Sequence, residues 1–381
     1  MARNVIFCAD GTWNRPDEPG APTNVWKVFG ALAGEPVRQS DSQFSKETID
    51  QAALYVDGIG TTRAAAINWL EGAVGLGVSQ KIVDGYLHLS RHYRDGDRVY
   101  LFGFSRGAYI ARTLAGLISQ HGLLVLSGKD TGRDESNAES KLQRFLEGST
   151  AVGAFGNRTT AESYGNLGGR FKRWGMDTFA RWAEKGRRYF DPASDPVARP
   201  CPVTMVGVWD TVGALGVPVG ILDKASESLF EFKDRKLNPN VSYGYHAVAI
   251  DEQREAFEPT PWEPRDGVEQ VWFCGAHADV GGGYPSTGLS DYALRWMMGK
   301  ARDRGVQFDK IPALAPNPLQ EPTDSYSQAF GDRRPRVVPE NAALHESVAE
   351  KLRQVPGYRP AALSRLAAGG DPAAPYRIVT G

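Results

Sequence analysis

Short apolar runs, each ended by glycine or a small polar residue, alternate along this chain with longer stretches in which apolar side chains recur every three or four positions. Runs of the first kind suit strands buried on both faces, and stretches of the second kind suit amphipathic helices. Asn4 to Ala9 is the first predicted strand and Ala53 to Val56 the second. Val78 to Arg94 reads as a helix, with Ser79 as its N-cap and Ile82, Val83, Tyr86, Leu87 and Leu89 on or near one face. Asp97 to Phe104 predicts a strand, and Ala108 to Gln120 the helix after it. Val203 to Trp209 and Val268 to Cys274 are further strands, separated by a predicted helical segment from Pro239 to Asp251. Leu289 to Arg304 closes the pattern as a helix that buries Trp296, Met297 and Met298. Strands alternating with helices predict an α/β fold, a mostly parallel sheet with helices on both faces.

The alternation stops between residues 127 and 199, which are polar, rich in Gly, Arg and Ser, and interspersed with Phe145, Phe155, Phe171, Trp174, Phe179, Trp182 and Tyr189. This segment is expected to be an insertion, either a plain surface excursion or a cap whose aromatics cover the mouth of a site. Residues 1–126 and 200–304 then form one α/β domain. Residues 305–381, rich in proline with a short helical pattern over Asn341 to Gln354, form an irregular extension packed on it.

Composition narrows the functional classes. At 381 residues and 41% hydrophobic content the chain can bury a large core. Its 44 basic and 45 acidic residues leave a net charge of -1, without the basic excess expected of a nucleic-acid binder. No apolar run approaches the ~20 residues of a membrane span, and Val5 to Cys8 is too short for a signal-peptide core. Cys8, Cys201 and Cys274 lie in separate apolar segments, which predicts buried free thiols and a reducing compartment.

The chemistry concentrates where predicted strands end. In Gly103-Phe-Ser-Arg-Gly107 the flanking glycines permit a sharp strand-to-helix turn that would expose Ser105 as a nucleophile, although a serine there could also cap the helix. A serine needs a base, and the chain has six histidines. His88 and His92, four apart on one helix, read as a solvated or partly packed pair; His121 as a partner of a helix C-terminus; His246 as a core histidine within a helix; and His345 as lying outside any strand end. His277 instead follows a strand and precedes three glycines, so base and nucleophile would share one sheet edge. Asp210, at the end of another apolar strand, is the favoured orienting acid, with Asp279 and Asp251 as rivals; Asp279 is expected to brace its own loop. At the end of the first strand, the Asp10-Gly-Thr12 sequence could be an ordinary turn or could supply the backbone N–H of Gly11 or Thr12 to an oxyanion hole together with the N–H of Arg106. Asp10 could equally orient that loop or bind a cation.

Asp10-Gly-Thr-Trp-Asn14, Gly103-Phe-Ser-Arg-Gly107, Trp209-Asp-Thr-Val212, Ala249-Ile-Asp-Glu-Gln-Arg254 and His277-Ala-Asp-Val-Gly-Gly-Gly-Tyr284, taken in order, resemble the signature blocks of one hydrolase domain. It is the alpha/beta-hydrolase catalytic domain of type VI secretion phospholipase effectors and their microbial relatives, and the resemblance covers residues 4 to 300. It implies Ser105 as nucleophile, Asp210 as acid and His277 as base, with ester hydrolysis on phospholipids as the activity. For an effector it also implies secretion without a signal peptide, an immunity protein and peripheral membrane contact; otherwise the expected location is cytoplasmic.

The sequence therefore predicts a serine esterase of phospholipase or lipase type, acting through an acyl-enzyme on a carboxylic ester or lipid substrate, with no nucleic-acid partner. No cofactor is expected, since neither GxGxxG at a strand-helix junction nor a Walker motif is present, and acyl transfer needs no metal. The alternative is a non-catalytic binding protein that keeps the hydrolase fold.

Overall fold

The computed structural model describes residues 2–11, 21–58, 74–125, 198–212, 235–326, 332–363 and 371–381. Its centre is a ten-stranded sheet. The strands in chain order are β1 (Asn4–Ala9), β2 (Val37–Ser40), β3 (Gln43–Glu47), β4 (Gln51–Val56), β5 (Arg98–Phe104), β8 (Val203–Trp209), β9 (Val241–Ala249), β10 (Val268–Phe273), β11 (Ala343–His345) and β12 (Arg377–Val379). A separate ribbon pairs β6 (Leu123–Leu124) antiparallel with β7 (Ala198–Arg199). The helices are α1 (Asn24–Ala31), α2 (Val74–His92), α3 (Arg106–His121), α4 (His277–Gly281), α5 (Ser290–Asp303) and α6 (Glu346–Gln354).

Across the sheet the order is β12-β11-β10-β9-β8-β5-β1-β4-β3-β2. Every pairing from β12 to β4 is parallel, and the two pairings at the far edge, β4 with β3 and β3 with β2, are antiparallel. From β1 the chain moves outward to β4 and then returns to place β5 on the other side of β1. The strand order therefore reverses at β1 and β5, and parallel sheets collect their ligands outside the carboxyl ends of strands at such a point. The arrangement is alpha/beta-hydrolase-like.

Burial on both faces explains the unbroken apolar runs. In β1, Val5, Phe7 and Ala9 join a core with Tyr86 and Leu89 of α2 and Ala111 and Leu114 of α3, while Ile6 and Cys8 join an opposite core with Phe29 of α1 and Trp296 and Met297 of α5. A third cluster, with Trp272, Leu344, Val348 and Leu352, seats α6 against the end of the sheet. The three cysteines are free and buried, as expected.

Several elements differ from the sequence reading. Pro239 to Asp251 is not helical: it contains β9, whose Tyr245, Ala247 and Ala249 face one core while Val248 faces another. A central strand buried on both sides has no polar alternation to distinguish it from a buried helix. Ser79 does not cap α2, which already starts at Val74. The C-terminal region is less irregular than expected, because β11 and β12 extend the sheet and α6 starts only at Glu346. Strands of three residues are too short to carry a periodic signal. His345 therefore ends a strand, where its ring stacks on Phe273. His88 is buried rather than solvated, with its ring 4.7 Å from that of His92. His121 is the last residue of α3. The expected cap, residues 127–199, lies outside the described residues except for β7. The described chain before and after it pairs in the ribbon, Leu123 with Arg199 and Leu124 with Ala198.

His246 is a buried core histidine, but on β9. Its Nε2 accepts a hydrogen bond from Thr211 N at 3.0 Å, and its Nδ1 lies 3.4 Å from Gln270 Oε1. Burial, with Arg112 nearby, lowers its pKa to about 3. Below about pH 6.5 the unfolded chain binds a proton that the native state refuses, so native stability falls as the pH drops. His246→Gln should be less stable at pH 7.5 yet lose less on acidification than the wild type, the difference reaching up to ~1.4 kcal/mol per pH unit below 6.5 in urea denaturation. Parallel acid sensitivity in the two proteins would contradict this assignment.

Glycine gives a second stability test. A Cβ on Gly299, within α5, would meet no atom within 4 Å. A Cβ on Gly107 would lie 2.1 Å from the carbonyl oxygen of Ala9. Gly299→Ala should stabilise the protein by ~0.5–1 kcal/mol through helix propensity. Gly107→Ala should destabilise it by ~1–3 kcal/mol or more, because backbone must move. Denaturant midpoints of the two variants check both signs.

Candidate active site

The site assembles at the carboxyl ends of β1, β5, β8 and β10. The apolar run of β5 drives that strand into the sheet centre, and the chain then turns at Ser105 into α3. Ser105 has φ 58° and ψ -122°, a conformation outside the regions ordinary residues occupy. Its N–H donates to Trp209 O at 3.1 Å and its carbonyl accepts from Ala108 N at 3.1 Å, so the neighbouring strand and the first helical turn hold the strain. The hydroxyl makes no capping bond to α3. Backbone packs directly on backbone here: a Cβ on Gly103 would lie 2.3 Å from the Gly107 carbonyl oxygen, and Gly107 in turn abuts the Ala9 and Asp10 carbonyls. The start of α3 and the end of β1 are thereby brought together.

Asp210 follows β8 with φ 40° and no exposed surface. Its Oδ2 lies 2.6 Å from His277 Nδ1, and its Oδ1 accepts from Ala249 N at 2.8 Å. The Arg336 guanidinium grips the same carboxylate with two bonds, Nη1 to Oδ1 at 2.6 Å and Nη2 to Oδ2 at 2.9 Å. Burial alone would push this carboxyl up, but the Arg336 charge and the hydrogen bonds from His277 and Arg336 hold it well below the usual range. The ionised carboxylate can only accept, so the proton of this contact sits on His277 Nδ1, and Nε2 of the neutral ring is left as the acceptor.

His277 opens α4. Its ring packs between Phe104, centroids 4.6 Å apart, and Phe257, 4.9 Å away and edge-on. Its N–H donates to Glu252 Oε2 at 3.2 Å. Burial lowers its pKa, opposed by the bond and charge of Asp210 and by Glu252, so the imidazole is neutral at pH 7. Glu252 is fixed by Arg254, with Nε to Oε1 at 2.9 Å and Nη2 to Oε2 at 2.7 Å. Burial raises the Glu252 carboxyl, but the Arg254 bonds dominate and bring it to about 2.

The rival acids face elsewhere. Asp251 follows a strand, not a helix, and its Oδ2 accepts from Gly275 N at 2.6 Å and from the Tyr358 hydroxyl at 2.8 Å. Asp279 braces its own loop, accepting from Ala276 N at 2.9 Å, and also holds Thr323.

Asp10 is buried at the end of β1. Its Oδ1 accepts from Gly11 N at 2.7 Å, and its Oδ2 from the Thr23 hydroxyl at 2.6 Å and the Tyr55 hydroxyl at 2.7 Å. Thr23 in turn caps α1 through Trp26 N. Asp10 thus orients the loop, and burial raises its pKa to about 6. Thr12 lies outside the described residues. The Arg106 guanidinium is buried at the first turn of α3, and desolvation lowers its pKa to about 10.

Among the described residues no three or more His, Cys, Asp and Glu side chains group as a metal site, and no helix is long and apolar enough to cross a membrane. Sequence reasoning missed Arg336, Phe257 and the part played by Glu252. Glu252 sits inside a quoted motif, but Arg336 lies in the polar stretch Arg333-Arg-Pro-Arg336, where no periodicity marks it.

An alignment over 135 residues, covering 32% of this chain and 18% of the relative, shows 34% identity to an uncharacterised protein of Saccharomyces cerevisiae, YEL023C. A crystal structure of an uncharacterised protein from Pseudomonas aeruginosa aligns with 81% of the chain and 46% of its own at 16% identity and TM-score 0.41. The Tle1 effector bound to the VgrG spike of the type 6 secretion system aligns with 74% of this chain and 52% of its own, at 17% identity and TM-score 0.35. The apo form of Thermogutta terrifontis esterase 2 gives 83% and 86% coverage, 9% identity and TM-score 0.33. The chain thus spans under a fifth of the yeast relative and about half of the first two structures. A family model described as "T6SS, Phospholipase effector Tle1-like, catalytic domain" matches residues 3–300, and the chain belongs to that family.

Proposed function

We propose that this protein hydrolyses carboxylic esters of lipids through a serine acyl-enzyme, with Ser105 as nucleophile, His277 as base and Asp210 as orienting acid. The observation that carries the reading is the 2.6 Å contact between His277 Nδ1 and Asp210, which leaves Nε2 of a neutral imidazole as acceptor at the sheet edge where Ser105 is strained. Ser105 Oγ bonds to the ester carbonyl carbon as Nε2 takes its proton. The carbonyl oxygen becomes an oxyanion, held by the N–H of Arg106 and by N–H groups of the Gly11 to Thr12 turn. Collapse of this intermediate expels the alcohol, which leaves with the proton from His277. Water, deprotonated by the same imidazole, then releases the fatty acid and restores Ser105.

Family membership favours a phospholipid substrate, and the dispersed aromatics of residues 127–199 are the part of the sequence we assign to its acyl chain. Effector delivery, with its secretion-spike contact, immunity protein and peripheral membrane contact, belongs to the same proposal.

Ser105→Ala should remove hydrolysis of phospholipid vesicles and short esters, a loss on the order of 10⁶-fold, while leaving the melting temperature near that of the wild type. Labelling by a fluorophosphonate should map to Ser105. A folded wild type that is neither labelled nor active on any ester would favour a binding protein instead.

Asp210→Asn should lower turnover by roughly 10⁴-fold with little change in KM, because the imidazole loses its correct tautomer. If Asp251→Asn or Asp279→Asn shows that loss while Asp210→Asn stays active, the acid is misassigned.

A further inference from the structure

Asp210 is a buried anion held by a cation from a distant part of the chain. Its two oxygens receive Ala249 N, His277 Nδ1 and both terminal nitrogens of Arg336, and the Arg336 side chain is as buried as the carboxylate it meets. The guanidinium does more than pair: Nη1 also donates to Ala249 O at 2.7 Å and Nη2 to Phe257 O at 2.5 Å. It therefore ties the end of β8, the end of β9 and the turn that carries Phe257 against the His277 ring.

Backbone pairing delivers it. Arg334 N donates to Gln253 O at 2.7 Å and Glu255 N to Asp332 O at 3.2 Å, so residues 332–334 lie antiparallel along 253–255. On the other side Val338 N donates to Ala362 O at 3.1 Å. The position of Arg336 is thus set by main-chain bonds on both flanks, and it comes from beyond residues 3–300, the span that matches the catalytic-domain family.

We infer that Arg336 is a positioning residue for the proposed reaction: its planar fork fixes the rotation of the Asp210 carboxylate so that Oδ2 faces His277, and its charge balances that carboxylate. The inference rests on the serine-hydrolase reading of the site. A fork that holds both oxygens leaves the carboxylate one orientation, which a single ammonium cannot do. Charge balance acts on the base. The charged groups around the His277 ring and its N–H are Asp210 from β8, Glu252 and Arg254 from the segment after β9, and Arg336 behind Asp210; Phe104 and Phe257 supply the apolar walls. With Arg336 in place the negative charge of Asp210 is shared, so His277 is less drawn to hold a proton. Without it the imidazolium gains an uncompensated anion at 2.6 Å, and the base is protonated at higher pH.

The test compares wild type, Arg336→Met and Arg336→Lys by two readouts. The titration of His277 is followed by imidazole NMR, its signal identified by loss in His277→Gln. The rate of fluorophosphonate labelling at Ser105 is measured across pH. Arg336→Met should raise the His277 midpoint by about one pH unit or more and slow labelling at least about tenfold near neutral pH. Arg336→Lys should keep the wild-type midpoint, since the charge remains, and still label more slowly, since the fork is gone. A folded Arg336→Met whose His277 titrates as in the wild type overturns the inference. Should Arg336→Met fail to fold, a folded Arg336→Lys that labels at the wild-type rate overturns it equally. Absence of Ser105 labelling in the wild type sinks the serine-hydrolase reading instead, while the His277 titration still reports whether Arg336 sets the charge of this pair.

Discussion

An ionised carboxylate with no contact with water must find replacements for the solvent it has lost, and Asp210 finds them in three parts of the chain. A backbone N–H comes from β9, an imidazole from the start of α4 and a guanidinium from the C-terminal region. Removing any one would leave a buried charge short of partners, so the ends of these elements are fixed relative to one another. The orientation of His277 follows directly from that constraint, as does the neutral, Nδ1-protonated form in which it can act as a base.

The second constraint is steric. At Gly103 and Gly107 there is no room for a Cβ, because strand, helix and the end of β1 meet backbone to backbone. This contact brings the Asp10 to Gly11 turn close to the start of α3, where we propose that the oxyanion is held. The strain at Ser105 is maintained by hydrogen bonds to Trp209 and Ala108 on both sides. Asp10, buried and bonded to Gly11, Thr23 and Tyr55, fixes the same turn from behind.

The C-terminal region belongs to this architecture rather than decorating it. Strands β11 and β12 continue the sheet, α6 covers its end, and Arg336 reaches Asp210. Glu252 and Arg254, placed after β9, connect the two by bonding to His277 N and by pairing with the segment that carries Arg336.

What the sequence by itself determined was whatever local patterning and turn chemistry dictate. The strands β1, β5, β8 and β10 were legible because two-sided burial makes each an apolar run, and Ser105, Asp210 and His277 stood out because each follows such a run at a turn. Helices α3 and α5 were legible through their periodic apolar faces. Only the tertiary structure decided the rest. Strand β9 has the same apolar content a buried helix would have, and its hydrogen-bonded neighbours alone made it a strand. The strands β11 and β12 are too short to hold a pattern, and exist because a sheet edge was available to pair with. Arg336 lies among prolines and arginines that look solvated, and its role arises from a contact with a residue more than a hundred positions away, |i−j| = 126. Periodicity records which face of an element is buried; it carries no information about which distant charge will meet a buried carboxylate, because that depends on how the elements are stacked.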